Sequence, residues 1–260
     1  MSLGKAAAAG GVAILVASGG YGLSFLVNNG MPGYEPFKTN TSNLYVYEYP
    51  DYFVDASKNE SWWNWVYKNR YSVGSDNKDS DNETRENPQQ GFTGLDKGAG
   101  KDAKAIQKVC SDVYGKQSSN IKTSGLSTGD FAEADVWRYC TAVKKRPKTI
   151  DGETEEKETY KVTSSYGKDN TDKLVAITGN DSFWNEQQRL FFEDKWERSG
   201  SKATENSLFH NLFNKNKRGE RKDAETLRST CQIAYGKTSS GSEAPEADVF
   251  RYCSLKRTKS

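Results

Sequence analysis

Four cysteines, one histidine and two copies of an acid-rich octapeptide are the side chains of this 260-residue chain whose types and spacing could do chemistry. The cysteines stand at 110 and 140, and again at 231 and 253. Three chemistries suit them: disulfides closed within each pair, reduced thiols buried as small apolar groups, or a metal site. Zinc takes closely spaced ligand pairs, whereas this chain has no CxxC or CxH and only His210 to add. No metal site is expected. Cys110 with Cys140 and Cys231 with Cys253 are the structural disulfide candidates, with buried thiols as the other reading.

The octapeptides "EADVWRYC" (133–140) and "EADVFRYC" (246–253) each carry two carboxylates, Glu133 with Asp135 and Glu246 with Asp248. A glycosidase-like hydrolase needs such a pair. The same acids also suit a helix start, with Asp135 to Arg138 and Asp248 to Arg251 spaced as i,i+3 pairs worth only ~0.2–0.5 kcal/mol. His210 has no nucleophile motif beside it, so nothing indicates a Ser/His/Asp or Cys/His mechanism. "GLDKGAGKD" (94–102) fails as a phosphate-cradling loop, because five residues separate Gly94 from Gly100 and Asp102 stands where Ser or Thr would hold magnesium. It reads as a flexible loop leading into a helix. No catalytic or cofactor-binding residue is nominated, no cofactor is expected, and the chain reads as a non-enzyme.

Partner chemistry is sparse as well. With 37 basic and 35 acidic residues the formal charge is +2, so no nucleic-acid partner is indicated. The basic runs "KKRPK" (144–148) and "KNKRGERK" (215–222) read as solvated faces, with anionic lipid heads or sulfated glycans as a modest contact. Trp62, Trp63 and Trp65 crowd into four positions. Trp63 has a counterpart in Trp184 and reads as core; Trp62 and Trp65 are the candidate partner-contact aromatics.

The elements that must position these residues come from a duplication. At an offset of 121, Trp63 and Asn64 meet Trp184 and Asn185, Cys110 meets Cys231, and "YGK" at 114–116 meets "YGK" at 235–237. Eight extra residues in the first copy then reduce the offset to 113, and the octapeptides realign. Ala103, Ile106, Cys110 and Val113 form one apolar helical face, as do Ala224, Leu227, Cys231 and Ala234. Gly115 and Gly236 come directly after as expected left-handed C-caps. An earlier helix carries "SWWNWVYKNRY" and "SFWNEQQRLFFEDKWER", and a last helix carries the octapeptide, capped by Ser127, Thr128 or Asp130 in the first copy and started by Pro245 and Glu246 in the second. The runs "YVYEY" (45–49) and "LVAIT" (174–178) are ambiguous and suit strands. The expected fold class is mainly α, an N-terminal transmembrane helix plus two homologous small helical modules, with α+β modules as the alternative.

The expected organisation is an N-terminal anchor or signal segment (1–30), a spacer (31–43), module copy one (44–146), a charged linker (147–166), module copy two (167–256) and a basic tail (257–260). The linker "KKRPKTIDGETEEKETYK" reads as solvated, leaving the modules as beads on a string. Residues 6–27, "AAAAGGVAILVASGGYGLSFLV", carry no charge. As a helix they would extend about 33 Å, which matches the roughly 30 Å hydrocarbon core of a bilayer. A cleaved signal peptide is the other reading, with Ala17-Ser18-Gly19 as the cleavage site, although the run is long for one. Both readings export the rest of the chain, and an exported address favours disulfides.

The small-residue-rich start "MSLGKAAAAGG", the Trp-bearing helix, the mid-module Cys and the terminal aromatic-x-x-C helix together resemble the large paralogous sets of uncharacterised surface-type proteins of haemotropic mycoplasmas. Where that family often ends in Trp-Cys, this chain has Tyr139-Cys140 and Tyr252-Cys253. The resemblance implies a variable, host-facing protein and brings no catalytic residue. The expectation is a single-pass cell-membrane protein, held in the bilayer through 6–27 with extracellular modules, that binds or displays. Its partner would be a host-cell surface protein or glycan, in adhesion or antigenic variation. An exported carboxylate hydrolase or a structural envelope protein is the alternative function, and secretion after signal cleavage the alternative location.

Overall fold

Each half of the chain opens on an extended strip that a helical reading of the sequence passes over. The computed structural model describes residues 30–73, 76–79, 82–160 and 164–259. In the first half the Phe37 N–H donates to the Phe53 carbonyl at 2.8 Å and the Asp55 N–H to the Glu35 carbonyl at 2.9 Å; in the second the Ile150 N–H donates to Leu174 and the Ala176 N–H to Lys148, both at 3.0 Å. These bonds match one another at offsets of 113 and 121. The spacer and the described residues of the charged linker are therefore folded parts of the two halves, contrary to expectation. Tyr34, Ile150 and Tyr160 are buried, which is enough apolar anchorage to hold otherwise polar segments down. Inside the linker, the buried Glu156 carboxylate accepts from the Ile177 and Thr178 N–H groups at 2.8 and 3.1 Å.

The helices arise from their apolar stripes. In the first half α1 (Glu60–Val66) runs into a π-helical turn (Tyr67–Tyr71), followed by α2 (Ile106–Tyr114) and α3 (Glu133–Cys140). In the second, α4 (Thr154–Tyr160) and the single turn α5 (Tyr166–Asp169) precede α6 (Asp181–Phe192), α7 (Leu208–Lys217), α8 (Leu227–Tyr235) and α9 (Glu246–Cys253). Ile106, Val109, Cys110 and Val113 line the buried side of α2, and Leu227, Thr230, Cys231 and Ala234 that of α8. A capping box, Thr226 with Ser229, starts α8. Gly115 and Gly236 do not adopt the expected left-handed cap: their φ angles are −85° and −78°. Their N–H groups fold back on the carbonyls of Asp112 and Ile233 instead.

The protein is mainly helical. Tyr45–Glu48 is a 3-10 turn, and Leu174 and Val175 make only isolated bridges to Ser254 and Thr149. Two-residue strands β1 (Ile121–Lys122) and β2 (Phe131–Ala132) pair in parallel within the stretch that is longer in the first copy. Ala132 and Pro245 are the residues that precede α3 and α9, so neither helix has a side-chain N-cap; Asp130 instead accepts from the Ser127 N–H at 3.0 Å.

The two halves share one apolar core. Across the seam the Tyr34 hydroxyl donates to Glu186 at 2.6 Å, the Tyr52 hydroxyl to Gln187 at 2.9 Å, and the Tyr52 ring lies 5.7 Å from Phe183. The beads-on-a-string arrangement is corrected accordingly: the tyrosines bury their rings while their hydroxyls find partners in the other half. No helix among the described residues is long and apolar enough to cross a membrane; the expected anchor at 6–27 lies outside them.

Candidate functional site

Both cysteine pairs are disulfides. Cys110 bonds to Cys140 and Cys231 to Cys253, with Cα atoms 5.5 and 5.7 Å apart, each bridge tying a middle helix to a last helix. Beside each bridge a tyrosine bonds to the same two kinds of carbonyl. The Tyr114 hydroxyl donates to Val54 and Cys140 at 2.6 and 3.3 Å, and the Tyr235 hydroxyl to Val175 and Cys253 at 2.6 and 3.1 Å.

A buried arginine closes each last helix. Arg70 donates to the carbonyls of Arg138 (3.0 Å), Thr141 (2.7 Å) and Ala142 (3.1 Å) at the end of α3. Arg198 donates to those of Arg251 (3.0 Å), Ser254 (2.9 Å) and Leu255 (2.7 Å) at the end of α9. A cation there meets both the orphan carbonyls and the negative end of the helix dipole. The π-helical turn that contains Arg70 sets its approach. The spacing from Arg70 to Arg198 is 128 rather than 121, so alignment at the repeat offset does not pair them.

The paired carboxylates are engaged at helix starts. Asp135 accepts from the Gln89 N–H at 2.7 Å, and Asp248 from the Thr204 N–H at 2.9 Å, each stitching an incoming loop to the helix. Burial pushes the Asp135 carboxyl up. Glu133 accepts from the Tyr45 hydroxyl and from Arg146, and Glu246 pairs with Lys259. The expected i,i+3 pairs give way to these longer-range contacts: Arg138 turns to Asp79 and Arg251 to the Lys202 carbonyl.

The tryptophans, the glycine-rich loop, the histidine and the basic runs are all held by the fold. Trp62 is 0% exposed, against the expectation of an exposed contact, and packs edge-on to Trp63 and near Tyr34. Trp65 is half-buried under the Arg70 guanidinium. Gly98 of the "GLDKGAGKD" loop lies so close to α1 that a Cβ would sit 2.1 Å from the Trp63 carbonyl oxygen, which makes this a packed loop, not a flexible one. His210 takes the Asn206 N–H at 3.2 Å, within α7. The basic runs are largely neutralised within the chain: Lys144 is buried, Arg146 pairs with Glu133, Lys217 with Asp194 and Arg218 with Glu220. Among the described residues no cluster of His, Cys, Asp and Glu could hold a metal ion.

One surface feature suited to a partner is a cleft of about 780 Å³ at the seam, lined by Lys38, Tyr47, Glu48, Glu197, Lys256 and Arg257 among others. Asp51 lies in its wall, accepting a hydrogen bond from Arg198 Nε at 3.0 Å and ion-paired with Arg257, whose Nε is 3.2 Å away. Tyr47 is 45% exposed, an aromatic face beside a rim of both charges. That composition suits a sugar ring or a polar peptide, with the aromatic as the anchor. Neither Glu133 nor Glu246 lines it. Sequence reasoning missed this cleft because its walls come from three distant stretches, 37–51, Glu197 and 251–258. No protein-family model, curated protein or solved structure matches the chain.

Proposed function

We propose that this chain is a membrane-anchored, surface-exposed protein that acts by binding or display, with residues 6–27 as a single-pass anchor and the two-module body outside the cell. The observation that carries the reading is the pair of disulfides at corresponding places in the two copies, since such bonds persist in oxidising compartments and are rare in reducing ones. The uncharged run at 6–27 supplies a tether of bilayer length. The seam cleft with Tyr47 supplies a binding surface. By its resemblance to the haemotropic mycoplasma sets, the partner is a host-cell surface protein or glycan, in adhesion or antigenic variation. The test is protease treatment of intact cells that carry the protein, followed by binding of purified 31–260 to red-cell membranes. Digestion of the body on intact cells, and binding weakened at least tenfold by Tyr47→Ala, are expected. Protection of the body until the cells are lysed would overturn the location, and absence of red-cell binding would overturn the host-facing role.

A further inference from the structure

The first basic run hides a lysine in a setting that few lysines occupy. Lys144 is 2% exposed, sits in the left-handed region (φ 66°) just past α3, and places Nζ 2.5 Å from Asp79 Oδ2 and 2.8 Å from Glu83 Oε2. The Asp79 side chain is fully buried, whereas Glu83 is 37% exposed. The Glu83 backbone N–H points at Asp79 Oδ1 at 3.0 Å, and Arg138 lies 3.4 Å from Oδ2. An amine, a carboxyl carbon, a second carboxylate and an oxyanion donor thus converge where little water enters.

We propose that Lys144 and Asp79 form an intramolecular amide, with Glu83 as the proton carrier. Glu83 relays a proton from the ammonium to Asp79 Oδ2, and the freed Nζ lone pair attacks Cγ of the now neutral carboxyl group. Negative charge gathers on Oδ1, which the Glu83 N–H faces as an oxyanion donor. A second proton passes from Nζ to the Oδ2 hydroxyl, the Cγ–Oδ2 bond breaks, and water leaves. One ammonium and one carboxylate are consumed, one amide and one water result, and no other reactant is needed. Burial assists twice: it disfavours the separated charges, and it holds the reacting groups at the effective molarities of an intramolecular reaction, about 10⁵ M or more when well oriented. The exposed edge of Glu83 gives the departing water a route to solvent. The second copy supplies an internal contrast. Arg257, offset by 113 and at φ 67°, occupies the corresponding position and pairs with Asp51, and a guanidinium does not acylate under these conditions. Only the first copy is equipped for the bond, which would tie the loop around Asp79 to the exit of α3.

Intact-mass measurement of the purified chain after full reduction and alkylation tests this. The expected result is a chain one water lighter than its sequence, with a tryptic species joining the peptides of Lys144 and Asp79. Lys144→Arg and Asp79→Ala should restore the full mass, and Glu83→Gln should leave the bond incomplete while its circular dichroism matches wild type. Full sequence mass in the wild-type chain after prolonged incubation in the folded state would overturn the proposal. So would a water loss that survives Lys144→Arg, since Asp151-Gly152 could then be its source as a cyclic imide.

Discussion

Replacing Arg198 with methionine removes a cation that is 0% exposed and holds four partners: three carbonyls at the end of α9 and the Asp51 carboxylate across the seam. Hydrogen bonds from a charged donor are each worth ~1.5–3 kcal/mol, and breaking a buried ion pair from one side costs about 3–5 kcal/mol. These figures overlap and do not add. Arg257 still reaches Asp51 Oδ2 at 3.2 Å, so the carboxylate is not stranded. Methionine also fills much of the vacated volume. Together these place the loss near the lower end, ~3–4 kcal/mol. Arg198→Lys keeps the charge but not the planar fork that spans separate carbonyls, and should recover less than half of it. Guanidinium unfolding followed by tryptophan fluorescence measures both. A loss under ~1 kcal/mol for Arg198→Met at unchanged denaturant slope would mean that α9 does not need its cation, and would refute the reasoning.

Three other tests probe different parts of the fold. Cys231→Ser with Cys253→Ser opens a bridge of sequence separation 22, and loop entropy puts the loss at roughly 3 kcal/mol by the same unfolding assay. Gly98→Ala sets a methyl against the Trp63 carbonyl and should destabilise by ~2 kcal/mol or more, seen as a lowered thermal midpoint, whereas Gly33→Ser, with open space around it and no left-handed backbone angle, should lose far less. Burial raises the Glu156 carboxyl above its ordinary value of 4.5, so its favourable contribution is fully present below that value and is lost as pH rises through the folded one. Wild type should therefore gain stability relative to Glu156→Gln on acidification through the carboxylate range, measured as the difference in unfolding free energy between about pH 4 and 7.

The parts of the fold that were legible in the sequence are those where a local pattern and a repeated spacing agree. The α2/α8 stripes and the octapeptides of α3/α9 bury one face each, so period and offset both report them. What escaped depends on contacts between distant segments. The strips around Phe37 and Ile150 are polar apart from a few anchors, and only their ladder partners at 53–55 and 174–176 reveal them. Trp62 is covered in part by Tyr34, from a stretch read as spacer. Lys144 is buried because Asp79 and Glu83 fold over it, and nothing in "KKRPK" announces that. The seam itself rests on Tyr52, Asp51 and Gln187, residues whose types are ordinary and whose pairing crosses the repeat boundary.

The central claim is that each copy closes its own sulfur bridge in an oxidising setting. A peptide map of the protein taken from its own cells, alkylated before any reductant is added, tests it most directly. The account predicts no alkylated cysteine and two linked species, one joining the peptides of Cys110 and Cys140 and the other those of Cys231 and Cys253. Alkylation at any of the four sulfurs as a major species, or links between the copies, would contradict it.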